Sequence, residues 1–593
     1  MLKKIAIVLL VILSGLVAAK VLKLPIPFLN SDTTAVTEIT KSKKSENSIL
    51  SHIPDDSVMY FTSELAVMHS VMELSNFDTI IDQISAEAQK DMGSMTAKEE
   101  MAMESILGLV KALFTAKEAA QYGIETQGEI AMYFNGLFPV IKISVADSAI
   151  LDAKLTEILS QFDGLIIEEK ELAGQIVKQV KIEDQAVVSF QISENYMTLT
   201  LTAAQTQMSM LEAIFNPQGV TNSVLVSDSY KADQTKYGFN DSFNMIVNFE
   251  EIAAAIVYPQ SNALGQQLAS LIPQSQGVFK VVQNEACQED IMSIVSAMPR
   301  LVAGYTSLDV TDTTMNSESL VVLEITNTKI TDILSMIVGH ISTNALTTDA
   351  LLSVGVGVDV SKVLPAFEQL TQLIQNTEYK CAPLAMGKMF LPPAPAQLAM
   401  VTQFAGSVKG FSASIIDVDV DFSQGPPQLN SFDAVIAVAT DDASTLAMMA
   451  AANPLVTFDP LDPAGAPSKL NSMFLPPEVE LYAAIKNNFL TVYSGDAGEK
   501  IVETLSSESL ESNALLSFAV NYGKIWAKEE LFKNALQMSG AQVCNDASMK
   551  DALSMITANR GSGAVQLEIN DFGVVFSTDA KMIKSDSKFD VCL

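Results

Sequence analysis

At 593 residues, 48% of them hydrophobic and with a mean hydropathy of +0.26, the chain carries enough apolar mass for several cores and is too long for one. Its formal charge of −33 and pI near 4.4 exclude a nucleic-acid-binding role, because phosphate contacts need a basic footprint. Arginine is confined to Arg300 and Arg560, which limits bidentate guanidinium recognition of carboxylate or phosphate to two positions.

Lys3 and Lys4 precede the uncharged apolar run Ile5–Ala19, and Val17-Ala18-Ala19 supplies small residues at its end. This pattern reads as an export signal over 1–21, cleaved in the first reading and retained as an inner-membrane anchor in the second. Either way the remainder is expected outside the cytoplasm, periplasmic or otherwise extracytoplasmic. Residues 22–48 read as a flexible linker, polar and without an apolar face over 30–48.

The folded body is expected from 49. A turn at Pro54-Asp55-Asp56 feeds a strand, and helical spacing of apolar residues follows over about 64–122, interrupted near Gly93. Alternation predicts strands at 129–135, 138–145, 165–169, 175–182, 186–192 and 196–202. Asp147 is placed to cap a helix over 149–162, and another helix is expected at 204–215.

Sliding the sequence against itself aligns Ser242–Phe249, Leu352–Val360 and Leu516–Tyr522. Each is a short alternating strand that ends at Asn or Asp and runs into a helix, then a cysteine (Cys287, Cys381 or Cys544), then a glycine-led strand and a return strand. Tyr196–Gln205 and Phe489–Gly498 form a weaker two-fold echo. The expected fold class is α+β: repeated strand–helix modules, largely antiparallel sheets with helices packed on one face, in several domains. The folded divisions are 49–217 (N-terminal α+β domain), 218–345 (repeat with Cys287), 346–470 (repeat with Cys381) and 471–593 (C-terminal repeat with Cys544 and Cys592).

Four cysteines in an exported chain favour two disulfides, with Cys287–Cys381 and Cys544–Cys592 the preferred pairing. Their spacing fits no CxxC metal or redox pattern. The Pro54–Phe61 opening resembles the starts of bacterial envelope proteins in domain families of unknown function, and the strand–turn–helix stretches 138–162 and 481–505 are similar too. That resemblance implies an anchored or periplasmic protein and no activity.

Chemistry-bearing motifs are sparse. His52, His69 and His340 are the three histidines, and nothing in the sequence marks any of them as catalytic. Gly406-Ser407-Val408-Lys409-Gly410 has its serine one place early for a nucleophile elbow, and the SxxK tetrad at Ser585–Lys588 stands in a polar tail. Asp417, Asp419 and Asp421, alternating on a strand, share one face and form a weak Ca²⁺ candidate, although the following residues do not make an EF-hand loop. Met92, Met95, Met101 and Met103 either fill core gaps or line an adaptable apolar groove.

No cofactor is expected. The reading is a non-enzymatic envelope protein engaged in binding, scaffolding or chaperone-like work with an envelope protein or lipid. Its alternatives are a periplasmic carrier of lipid or another hydrophobic ligand, which needs a continuous apolar cavity, and a secreted hydrolase, which needs a histidine to converge with a carboxylate and a hydroxyl.

Overall fold

The structure, a computed structural model, describes residues 48–74, 97–161, 166–182, 186–206, 208–271, 279–311, 313–392, 395–421, 428–452, 456–462, 465–472, 479–528 and 560–583. They divide into two compact units, one up to residue 311 and one from residue 313 onward. The expected boundaries at 217/218 and 345/346 fall in loops inside these units, and the one at 470/471 falls inside a strand.

In unit 1 the strands are β1 (Met59–Glu64), β2 (Glu129–Asn135), β3 (Phe138–Ser144), β4 (Ile167–Leu172), β5 (Gln175–Ile182), β6 (Ala186–Ile192), β7 (Tyr196–Ala203), β8 (Phe243–Asn248) and β9 (Arg300–Val310). Antiparallel ladders join them in the order β9-β8-β1-β2-β3-β7-β6-β5-β4. The helices are α1 (Leu65–Leu74), α2 (Ala97–Phe114), α3 (Ala116–Gln121), α4 (Ser148–Ser160), α5 (Met208–Phe215), α6 (Asp228–Tyr237), α7 (Phe249–Val257), α8 (Ala263–Leu271) and α9 (Glu285–Val295).

In unit 2 the strands are β10 (Thr314–Glu324), β11 (Leu352–Val356), β12 (Val408–Asp421), β13 (Gln428–Thr440), β14 (Val456–Phe458), β15 (Ser468–Ser472), β16 (Leu481–Lys486), β17 (Phe489–Ser494), β18 (Leu516–Asn521), β19 (Ser562–Asn570) and β20 (Gly573–Ile583). Their order is β10-β20-β19-β18-β11-β12-β13-β17-β16-β15-β14, again antiparallel throughout. The helices are α10 (Thr328–Ser335), α11 (Val360–Asn376), α12 (Ala382–Gly387), α13 (Ala396–Ala405), α14 (Ala443–Ala451), α15 (Gly495–Leu505) and α16 (Tyr522–Ala527).

From β11 to β19 the second order repeats the first strand for strand, each label raised by ten. The chain therefore carries a two-fold topological duplication. The three segments aligned in the sequence are β8, β11 and β18: β8 and β18 are equivalents, while β11 is the equivalent of β1. Strand-to-helix junctions share a chemistry as well. The side chains of Asn248, Asp359 and Asn521 each accept a hydrogen bond from a backbone N–H in the first turn of α7, α11 and α16.

The expected fold class is overturned on two points. The strands do not form one sheet per module; within each unit the ladders run on through all of its strands as one antiparallel sheet. Nor do the helices keep to one face. In unit 2, α14 packs Ala443 and Ala447 on Ile485 and Leu490, whereas α15 packs Val502 on Ala484 and Tyr493. Successive strand residues point to opposite sides, so these two helices cover opposite faces of β16–β17. In unit 1, α2 and α4 seal the core around Phe61, Ile130, Met132 and Ile143. The other face, carrying Asn244, meets α6 through Gln234.

Candidate functional site

The three histidines occupy three unrelated environments. His69, on α1, is buried against the unit 1 core; burial lowers its pKa to about 4, and the Leu113 carbonyl pulls weakly the other way. Neither ring nitrogen reaches hydrogen-bonding geometry with a partner among the described residues. His52, in the short 3-10 turn Ile49–His52, stands edge-on to Tyr196 at 5.5 Å between ring centroids. Its pKa is held down to about 3, by burial first and by the nearby Lys142 charge second.

His340 comes nearest to the arrangement a hydrolase needs. Its Nε2 lies 2.9 Å from Glu508 Oε1, and the same carboxylate oxygen accepts from Thr343 Oγ1 at 2.9 Å. A catalytic triad requires the imidazole to bridge acid and hydroxyl. Here the carboxylate is the bridge, and the other imidazole nitrogen, Nδ1, is occupied by the Glu511 carbonyl at 2.7 Å. Histidine, acid and hydroxyl are brought together, but no ring nitrogen is left to deprotonate a nucleophile.

A second buried cluster went unmarked in the sequence. Lys142 on β3 is almost fully buried; its Nζ donates to Thr198 Oγ1 at 3.0 Å and lies 5.5 Å from the Tyr196 ring centroid. Burial pushes this amine down to about 7, toward the neutral form. Thr198 and Thr200 on β7 and Ser189 on β6 continue a buried polar strip, in which Gln179 on β5 donates to Ser189. The strip is packed shut and gives a substrate no route to the amine.

The carboxylates of Asp417, Asp419 and Asp421 do not converge. One register shift precedes them at Ile416, and at the other the extra residue is Asn430 on β13, so β12 itself stays regular from Asp417 to Asp421. Asp417 pairs instead with Lys528 at 3.0 Å, and Asp419 accepts from Asn430 at 3.1 Å. No group of three or more His, Cys, Asp or Glu among the described residues is placed to hold a metal ion. Cys287 and Cys381 are joined in a disulfide and both are buried. Cys544, Cys592 and the Ser585–Lys588 tetrad lie outside the described residues, as do Met92, Met95 and the side chains of Met101 and Met103. Also outside them is Ile5–Ala19; among the described residues no helix is long and apolar enough to cross a membrane.

The unit 2 sheet presents the most unusual surface. On one face, Ser353, Ser412, Ser414 and Ser517 are buried under the turn at 342–345. Ser342 and Ser412 share a hydrogen bond, Asn344 and Ser353 both donate to Ser414, and Ser517 donates to the Ala345 carbonyl. Small hydroxyls let that turn lie close to the strands. The bulky apolar residues are thereby sent to the opposite face.

Cross-strand register lines these bulky residues up in two rows. One runs Phe576, Leu567, Leu516, Val356, Phe411, Val438 across β20, β19, β18, β11, β12 and β13. The next runs Val565, Phe518, Val354, Ala413, Ile436, Val492 from β19 to β17. At the centre Leu516, Val356 and Phe411 remain 47%, 43% and 41% exposed. Neighbouring rows of large apolar side chains open to solvent are rare on a folded surface. Strand alternation in 352–356, 411–415 and 516–520 could have revealed the rows. It could not have told which face was outward.

The chain matches no protein-family model, no curated protein and no solved structure. Its likeness to envelope proteins therefore rests on the Pro54–Phe61 pattern and the two strand–turn–helix stretches alone.

Proposed function

We propose that the chain is a non-enzymatic, extracytoplasmic binding protein, chaperone-like or scaffold-like, whose unit 2 holds an apolar polypeptide segment on the open face of its sheet. The observation that carries this reading is the pair of apolar rows centred on Val354, Val356, Phe411 and Phe518. The face is broad and spans many strands, which suits an amphipathic helix or strand laid across it better than a small molecule held in a pocket. A formal charge of −33 favours clients whose apolar stretch is flanked by lysine or arginine. Export by the Ile5–Ala19 segment completes the proposal, since it would place this surface among envelope polypeptides in transit.

Carriage of a lipid is less well supported. The two described cavities, about 220 and 120 Å³, fall below the ~300–1,000 Å³ usual for such ligands.

The test is suppression of aggregation of a chemically unfolded client with basic flanks, followed by light scattering. The full chain is expected to suppress scattering, and Phe411→Ser combined with Phe518→Ser to lose most of that effect while keeping the far-UV circular dichroism of the parent. No suppression by the parent chain, or equal suppression by the variant, would overturn the reading.

A further inference from the structure

A second apolar surface of unit 2 has a different character. The turn after α12 carries Met389 and Phe390, which are 79% and 81% exposed. Met386 on α12 and Met400, Val401 and Phe404 on α13 are also exposed. Side chains that stand this far clear of their surroundings line no groove. They project, and whatever covers them must close around them.

The charge of this stretch is the second observation. From Tyr379 to Ile416 the sequence contains no aspartate or glutamate, although the whole chain has 69. The same stretch holds Lys380 and Lys388 beside the projection, whereas Lys409, on β12, is paired with Asp359 and Asp441 at 2.8 and 2.9 Å. The projection therefore carries no carboxylate of its own on a strongly acidic protein. Lys388 donates to the Gln375 and Thr377 carbonyls at the end of α11 and lies 5.8 Å from the Tyr379 ring centroid, which fixes its charge beside the exposed Met389 and Phe390.

We propose that the α12–α13 projection inserts shallowly into a lipid bilayer, its Met and Phe side chains at the boundary between headgroups and acyl chains and its lysines at the level of the phosphates. Apolar knobs with adjacent lysines are the composition of interfacial anchors. The missing carboxylates remove the repulsion that the rest of this chain would meet at an anionic surface. The projection shares no residue with the rows on the open sheet face, and the proposal stands or falls independently of client binding there.

The test uses the full chain with its single tryptophan removed by Trp526→Phe and a probe added by Phe390→Trp. The probe is read on vesicles of phosphatidylcholine with a minor anionic fraction, with and without bromine on the upper acyl carbons. A local reporter is needed because the Ile5–Ala19 segment can itself enter vesicles. Expected are a blue shift and quenching of about twofold by the brominated lipid, with little quenching when the probe is placed instead by Phe411→Trp on the open sheet face. Unchanged emission from position 390 on vesicle-bound chain would overturn the proposal, as would equal quenching at 411. Loss of a lipid-free dimer in Met389→Ser/Phe390→Ser, seen by sedimentation, would also overturn it by assigning the projection to a second copy of the chain.

Discussion

His340 Nε2 lies 2.9 Å from Glu508 Oε1, and the remaining ring nitrogen faces the Glu511 carbonyl, so the imidazole meets an acceptor on each side. Both nitrogens can donate only in the imidazolium form. Burial alone would lower the pKa of His340, but the bonds to Glu508 and the Glu511 carbonyl outweigh it and raise the pKa above the usual value of 6.5. Burial likewise opposes ionisation of Glu508; the bonds from His340 and Thr343 prevail and hold that carboxyl below its usual range. A raised histidine contributes stability that is fully present below pH 6.5 and is lost as pH climbs through the folded value. Denaturant melts between pH 5.5 and 8.5 should therefore show this contribution fading with rising pH, and His340→Gln should remove that part of the slope. Parallel pH profiles for parent and variant would show that the ring is not charged.

Unit 1 should respond in the opposite sense. The pKa values of His52 and His69 are held down to about 3 and about 4, so the unfolded chain takes up protons from pH 6.5 downward while the folded chain does not. Their contribution is lost as pH falls from 6.5 toward those values. Lys142 extends the trend upward: between about 7 and its ordinary 10.5 the unfolded amine keeps a proton that the buried one has released. Stability should rise from pH 7 to roughly 9.5, before tyrosine ionisation intervenes. Lys142→Met should flatten this upper limb, as read from thermal melts over that range. A limb of unchanged steepness would mean that the amine is not the group responsible.

Arg300 grips Asp233 with two parallel bonds, Nη1 to Oδ2 at 2.9 Å and Nη2 to Oδ1 at 2.8 Å, in a largely buried setting that fastens α6 to β9. An ammonium cannot reproduce the fork. Arg300→Lys should cost about 1–3 kcal/mol in urea denaturation, and Arg300→Met more, because it leaves the Asp233 carboxylate buried without that partner. A loss within ±0.5 kcal/mol for both would place the pair in the class of surface ion pairs.

The local elements were legible in the sequence. Alternation located β2, β3, β5, β6 and β7 to within a residue, and Asp147 caps α4 as its position predicts, accepting from Ala149 and Ile150 at 3.0 Å. The strand order was not legible, because no local pattern records that β1 pairs with β8, whose partner residues follow almost the whole of unit 1 later. Side-chain alternation also gives a period without a direction. Ser353, Ser412, Ser414 and Lys142 are all buried, although nothing in the alternation of polar and apolar residues around them says so. The Asp417–Asp421 reading fell short for a third reason, since Lys528 and Asn430, which take up Asp417 and Asp419, come from elsewhere in the chain and leave no mark on the strand itself.

The disulfide between Cys287 and Cys381 closes a loop of roughly a hundred residues, which restricts the unfolded chain by an amount worth about 2–5 kcal/mol on the chain-entropy account. Cys287→Ser and Cys381→Ser should each lower the midpoint of urea unfolding by that equivalent, and the double variant should lose no more than either single one. Peptide mapping without reductant should recover the two cysteines in one cross-linked fragment. Recovery of either as a free thiol from the native chain would contradict the pairing.

Two glycines of unit 2 should answer an added methyl group with opposite signs. Gly410 lies on β12 where a Cβ would be driven into the carbonyl oxygen of His340 and against that of Val356. Neither is a flexible side-chain end; both are backbone held in place by ladders and by the His340–Glu508 contact. Relief would require the strand to move away from its neighbours, so Gly410→Ala should destabilise by about 2–4 kcal/mol and weaken the His340-dependent pH slope with it. Gly387, at the end of α12, has open space at its Cβ position and a right-handed helical backbone, φ −58° and ψ −39°. There an alanine meets nothing and narrows the unfolded ensemble, so Gly387→Ala should be neutral or stabilising by up to about 1 kcal/mol. Equal losses at the two positions would mean that the tight approach of β12 to the residue 340 backbone is not a constraint on the folded chain.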